Sequence, residues 1–287
     1  MRRACRKPVG RISRTTRART QHVVACAALL SLFGCAAPQP LRDALADGFT
    51  AESVAGAGFV HTVLTRRGAG SAMPLHIYIE GDGTPWQLGR VPARDPTPRN
   101  ALALRLAALD DHDVIYVGRP CYFGHAADPG CDVSQWTSGR YGNGIVESMA
   151  AVIRRLLGDG PQRPIILIGY SGGGSLATLI ADRLDGVLAV LSIAANLDTD
   201  AWTRQHGYLP LSGSLNPANL KNTARQTLHV QVIGSDDTVV PEAVTLSYQE
   251  KHPELVVWPY PDSDHACCWE QRWPEIVARL YTYIDAN

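Results

Sequence analysis

Ser171 sits in Gly169-Tyr170-Ser171-Gly172-Gly173, directly after the apolar run Pro164-Ile165-Ile166-Leu167-Ile168 and before Ser175-Leu176-Ala177-Thr178-Leu179-Ile180-Ala181. That context places a serine hydroxyl on a sharp turn from strand to helix, where a nucleophile for acyl transfer is presented. A residue held there at positive φ leaves little room for neighbouring side chains, a need that Gly169 and Gly172 meet while Gly173 and Gly174 add slack. The free N–H groups of the following helix would favour negative charge developing beside the serine. A Gly-rich turn in an ordinary α/β protein has the same local sequence, so the assignment depends on partners elsewhere in the chain.

A serine hydroxyl needs an adjacent base, itself oriented by a third group. Both are available downstream. After the apolar run 228–233 comes Gly234-Ser235-Asp236-Asp237-Thr238-Val239-Val240-Pro241, and after 255–258 comes Asp262-Ser263-Asp264-His265. Asp237 and Asp236 are the near candidates for the acid, and Asp198, which follows the run ending at Ile193, is a third. Of the nine histidines, His265 lies between the last predicted strand and the final helix; His61, His76, His206, His229 and His252 are read as structural hydrogen-bonders.

The elements that must position these groups alternate. Apolar runs at 75–79, 114–117, 165–168, 187–193, 228–233 and 255–258 predict strands. Helical spacing appears at 101–109, 144–157, 175–184 and 273–284, with Asn100 as the expected cap of the first. This alternation predicts an α/β fold with a mostly parallel central sheet and helices on both faces. Ligands gather at the carboxyl ends of such strands, where Ser171 falls. Two long loops, 118–143 and 198–226, stand out, and the second is read as a small cap over the site.

The 287 residues, 45% of them apolar, suit one large domain. Eight of the 27 basic residues and no acidic ones precede residue 35, leaving 19 basic against 27 acidic residues in the remainder. That net-acidic body argues against nucleic acid as a partner. The apolar stretch 23–33 behind the arginines predicts a signal peptide over 1–35, a tether over 36–55 and a catalytic domain over 56–287. Export makes disulfides expected among Cys121, Cys131, Cys267 and Cys268. Cys121 and Cys131 could close their loop locally, while the adjacent Cys267 and Cys268 either bridge each other or reach elsewhere. CxxC spacing and paired histidines are absent from the sequence, so no metal or other cofactor is expected.

The order Ser, Asp, His is that of the α/β hydrolases. Gly234 to Pro241 resembles their acid loop, Gly-x-x-Asp-x-x-Val-Pro, which assigns the acid to Asp237. Tyr78-Ile79-Glu80-Gly81-Asp82-Gly83 resembles their His-Gly-x-x loop with Glu80 in place of the histidine. The resemblance implies an oxyanion hole from the backbone N–H groups of Gly172 and Asp82. Asp82's carboxylate must then point away from the site, and Glu80 is free to brace the loop. Leu32-Phe33-Gly34-Cys35 resembles a lipobox, implying lipidation of Cys35, although Phe33 is bulkier than that pattern usually holds. Together with Asp95 to Asn100, Arg119-Pro120-Cys121 and Asp264-His265-Ala266-Cys267-Cys268-Trp269, these stretches are similar to a group of bacterial lipoprotein α/β hydrolases over most of 70–287.

The expectation is therefore an exported serine esterase using Ser171, Asp237 and His265, acting on a small-molecule ester at the periplasmic face of the cell envelope. It would meet the membrane through an anchor at Cys35. Trp86, Tyr170, Tyr122, Trp136 and Trp269 are candidates for an apolar pocket wall. A peptidase or acyltransferase with the same triad, and a non-catalytic binding lipoprotein, are the alternatives.

Overall fold

The computed structural model describes residues 37–69, 74–158, 163–221 and 227–286. The expected signal peptide with Cys35, and residues 222–226 of the expected cap, lie outside the described residues. The chain enters through α1 (Gln39–Ala46), β1 (Thr50–Ala55), β2 (Val60–Arg66) and β3 (Leu75–Ile79). A small hairpin, β4 (Trp86–Gln87) with β5 (Val91–Pro92), then precedes α2 (Leu102–Ala108) and β6 (Val114–Val117). Strand and helix alternate from there: α3 (Asn143–Leu157), β7 (Ile165–Tyr170), α4 (Gly172–Ala181), β8 (Val187–Ile193), α5 (Thr199–His206), β9 (Leu228–Gly234), α6 (Glu242–Gln249), β10 (Val256–Tyr260) and α7 (Trp269–Ala286).

Eight strands form one sheet in the order β1-β2-β6-β3-β7-β8-β9-β10. The six from β6 to β10 are parallel, and β2 is antiparallel to both of its neighbours. Strand β7 explains why the central runs read as continuously apolar. Its side chains alternate between faces, so Ile166 and Ile168 join the core beneath α2 and α7 while Ile165 and Leu167 join the core beneath α3 and α4. Each such side chain contributes about 1.5–3 kcal/mol by leaving water. Because these strands run the same way, the segments after β3, β7, β9 and β10 all emerge at one edge of the sheet, bringing Asp82, Ser171, Asp237 and His265 to the same side.

Of the expected tether over 36–55, the described residues 37–55 hold α1 and β1 and are part of the fold. Strand β1 reads Thr-Ala-Glu-Ser-Val-Ala, and as an edge strand it buries Val54 alone, so its sequence carries no apolar alternation. Strand β2 was masked by its polar residues, of which His61 is buried between the Gly118 carbonyl, 2.8 Å away, and Ser148 Oγ, 2.7 Å away. Asn100 does not cap α2. The Glu80 carboxylate accepts the N–H groups of Ala103 and Leu104 at 3.3 and 3.4 Å, while Asn100 accepts from Arg105. The expected cap region holds α5, whose Trp202 and His206 both bond the carbonyl of Val239, and a loop that bonds Ser138 and Tyr141. Cys121 pairs with Cys131, and Cys267 pairs with Cys268. Among the described residues, no helix is long and apolar enough to cross a membrane.

Candidate active site

Ser171 caps α4 with φ 52° and ψ −125°, a positive-φ conformation held by its N–H bond to Ile193 O at 2.8 Å. Close packing of the turn demands glycine around it: a methyl at Gly169 would overlap the backbone of Gly173, and one at Gly173 would overlap the carbonyls of Ile79 and Glu80. The turn after β3 and the turn at Ser171 are thus in backbone contact.

Ser171 Oγ lies 3.1 Å from His265 Nε2, and His265 Nδ1 lies 2.8 Å from Asp237 Oδ2. With Nδ1 protonated, that nitrogen donates to Asp237 and leaves Nε2 to accept from the serine. Asp237 is itself fixed, since its Oδ1 accepts the N–H groups of Val239 and Val240 at 2.8 Å each. The rival acids are placed elsewhere. Asp236 is exposed. Asp198 accepts from Ala201, Asn216, Ser247 and Lys251; burial opposes its charge, but these donors outweigh that and hold its pKa well below the ordinary range.

Asp82 follows β3 and does not turn into solvent. Its Oδ1 accepts from Arg119 Nη1 at 2.7 Å, its Oδ2 accepts from Arg140 Nη1 at 2.7 Å, and Tyr141 Oη lies 2.9 Å from both oxygens. Tyr122 Oη donates to the Asp82 carbonyl at 2.9 Å. Burial alone would raise this carboxyl, but the two guanidinium groups hold its pKa down at about 2. Among the described residues, neither the Asp82 N–H nor the Gly172 N–H has an acceptor. The loop lies against the serine, since a Cβ at Gly81 would come within 3.4 Å of Ser171 Cβ. Backbone donors left without an acceptor in two turns that pack against each other at Ser171 are the kind of group that can receive an oxyanion.

The aromatic residues divide. Tyr170 stands beside the site, its ring centroid 5.3 Å from that of His265, and Trp86 is exposed on the β4–β5 hairpin. Tyr122, Trp136 and Trp269 do not form a pocket wall, because their rings are buried in the core. They brace loops instead: Trp136 Nε1 donates to Ala93 O, and Trp269 Nε1 donates to His265 O at 3.1 Å. Away from the site, His76, Asp110 and His112 bring ligand-type atoms within 4.8 Å of one another. Both imidazoles are engaged with the Asp110 carboxylate at 2.6 Å, near the amino ends of β3 and β6 and so at the sheet edge opposite Ser171. Sequence reasoning missed Arg140 and Tyr141, and it quoted Arg119 only within a resembling stretch without giving it a role beside Asp82.

No protein-family model matches the chain, and no curated protein matches it in sequence. Solved structures do. An esterase from Pyrococcus furiosus superposes with a TM-score of 0.59 at 14% identity, covering 84% of this chain and 93% of the esterase. A lidless α/β serine hydrolase from Xanthomonas campestris gives 0.53 at 15% identity, covering 81% and 94%. A serine hydrolase homologue from Coxiella burnetii gives 0.53 at 19% identity, covering 80% and 95%. The chain has the α/β-hydrolase fold.

Proposed function

We propose that the protein is a serine hydrolase acting on carboxylic esters, with Ser171 as nucleophile, His265 as general base and Asp237 as its orienting acid. The reading is carried by one observation, the aligned contacts from Ser171 Oγ to His265 Nε2 at 3.1 Å and from His265 Nδ1 to Asp237 Oδ2 at 2.8 Å. Ser171 Oγ attacks the ester carbonyl carbon as its proton passes to His265 Nε2. The resulting oxyanion is received by the N–H groups of Gly172 and Asp82. Collapse expels the alkoxide, which takes the proton from His265, and leaves an acyl-Ser171. Water then attacks with its proton going to His265, and the carboxylic acid leaves as Ser171 regains a proton.

Export to the cell envelope and an anchor at Cys35 belong to the same proposal, supported by the arginine-rich start and the apolar stretch 23–33. The test is turnover of p-nitrophenyl esters of increasing acyl length beside a matching anilide series, for the parent and Ser171→Ala. Ester turnover lost in the variant supports the reading. Anilide turnover without ester turnover moves the assignment to a peptidase, and inactivity of a folded parent on both series contradicts hydrolysis.

A further inference from the structure

We infer that Arg119 and Arg140 are positioning residues for the acyl-transfer step, clamping the oxyanion loop through the Asp82 carboxylate and giving it a net positive charge; the inference rests on the serine-hydrolase reading above. A carboxylate beside an oxyanion hole is a liability, because its charge opposes the one that develops there. The carboxylate is close: a methyl on Gly172 would overlap Asp82 Oδ1 and crowd Tyr141 Oη. One arginine would cancel the charge, and this chain supplies two. The cluster of one carboxylate and two guanidinium groups carries a net +1.

Both arginines are nearly sealed from water, with 1% and 6% of their surfaces exposed. Burying two guanidinium groups is costly unless each is closely paired. Arg119 is held by Asp82 and by the Arg140 carbonyl at 2.8 Å, and its guanidinium lies over the rings of Tyr122 and Tyr141 at 5.2 and 5.7 Å. Arg140 is fixed by Asp82 and by Thr137 O, 2.6 Å from its Nε. Every acceptor on Asp82 is therefore occupied, both carboxylate oxygens and the carbonyl, while its N–H has no described acceptor beside Ser171. The clamp fixes the direction of that N–H before substrate arrives, and the surplus positive charge favours the oxyanion at no cost of reorganisation.

Arg140 is the cleaner probe, since its removal leaves Asp82 paired with Arg119 and strands no buried charge. The readout is the second-order rate at which a fluorophosphonate phosphonylates Ser171, a reaction that places negative charge on a phosphoryl oxygen in the same hole. It is measured on full-length parent, Arg140→Met, Arg140→Gln and Arg140→Lys, with urea midpoints confirming the fold. Arg140→Gln removes the charge while keeping one uncharged amide donor on a shorter side chain, so it serves if Arg140→Met does not fold. The inference predicts a rate lower by about tenfold to a hundredfold in Arg140→Met and Arg140→Gln, and recovery to within about threefold of the parent in Arg140→Lys. A folded Arg140→Met or Arg140→Gln labelled at the parental rate overturns it, as does an Arg140→Lys as slow as Arg140→Gln. A parent that is not labelled at Ser171 contradicts the hydrolase reading itself, which keeps the two failures apart.

Discussion

Glu80, which stands where related loops carry histidine, is expected to make the stability of this protein fall as pH rises through neutrality. Its side chain is 2% exposed and accepts the N–H groups of Gly81, Ala103 and Leu104. Burial outweighs those donors and pushes its pKa from an ordinary 4.5 up to about 7. Between those values the folded protein keeps a proton that the unfolded chain has lost, so the contribution is fully present below pH 4.5, is lost progressively as pH rises to the folded value of about 7, and is gone above it. At 1.36 kcal/mol per pH unit, the gap is worth about 3 kcal/mol. Glu80→Gln has nearly the same shape and no charge to bury. Urea unfolding followed by tryptophan fluorescence, at intervals from pH 4 to pH 8.5, should therefore show the variant gaining about 3 kcal/mol on the parent across that range. Parallel curves would refute the reasoning, since they would mean that Glu80 titrates alike in the folded and unfolded protein and that the amides it accepts balance its burial.

Three other outcomes are expected. Asp237→Asn should leave KM near the parental value while kcat falls about 10⁴-fold, because the imidazole loses the partner that fixes its tautomer, and initial rates on an ester substrate check it. Replacing Cys121 and Cys131 together by serine opens a loop of sequence separation 10 and should cost about 3 kcal/mol in urea unfolding, with Ser171 still labelled by a fluorophosphonate. His61 is buried and its pKa is lowered by burial to about 4, so it contributes stability above pH 6.5 that is lost as pH falls through 4. Compared with the parent, His61→Gln should show a shallower loss of stability between pH 6.5 and 4 by up to about 3 kcal/mol, read from paired urea curves.

The meeting of Ser171, His265 and Asp237 was legible because each follows its own strand within a short local pattern, and a parallel sheet sends those strand ends to one edge. The six parallel strands were legible for the same reason that β7 is apolar throughout, since both faces of the sheet are covered. What the sequence hid is non-local or two-sided. Asp82 meets Arg119, Arg140 and Tyr141 across separations of 37, 58 and 59 residues, and no spacing rule links them. The cap of α2 comes from Glu80, 23 residues before Ala103, where a local rule looks to Asn100. Edge strand β1 buries one side chain and so shows no period. Composition points to aromatic residues near the site, but whether a ring such as Trp269 faces a pocket or braces the backbone of His265 depends on the direction of its helix.

The central claim is that Ser171 is an activated nucleophile, and labelling with a fluorophosphonate serine probe, followed by mass spectrometry of the modified peptide, tests it most directly. The account predicts modification at Ser171 in the parent and its loss in both Ser171→Ala and His265→Ala. A folded parent that takes up no probe, or one modified at another serine, would contradict it.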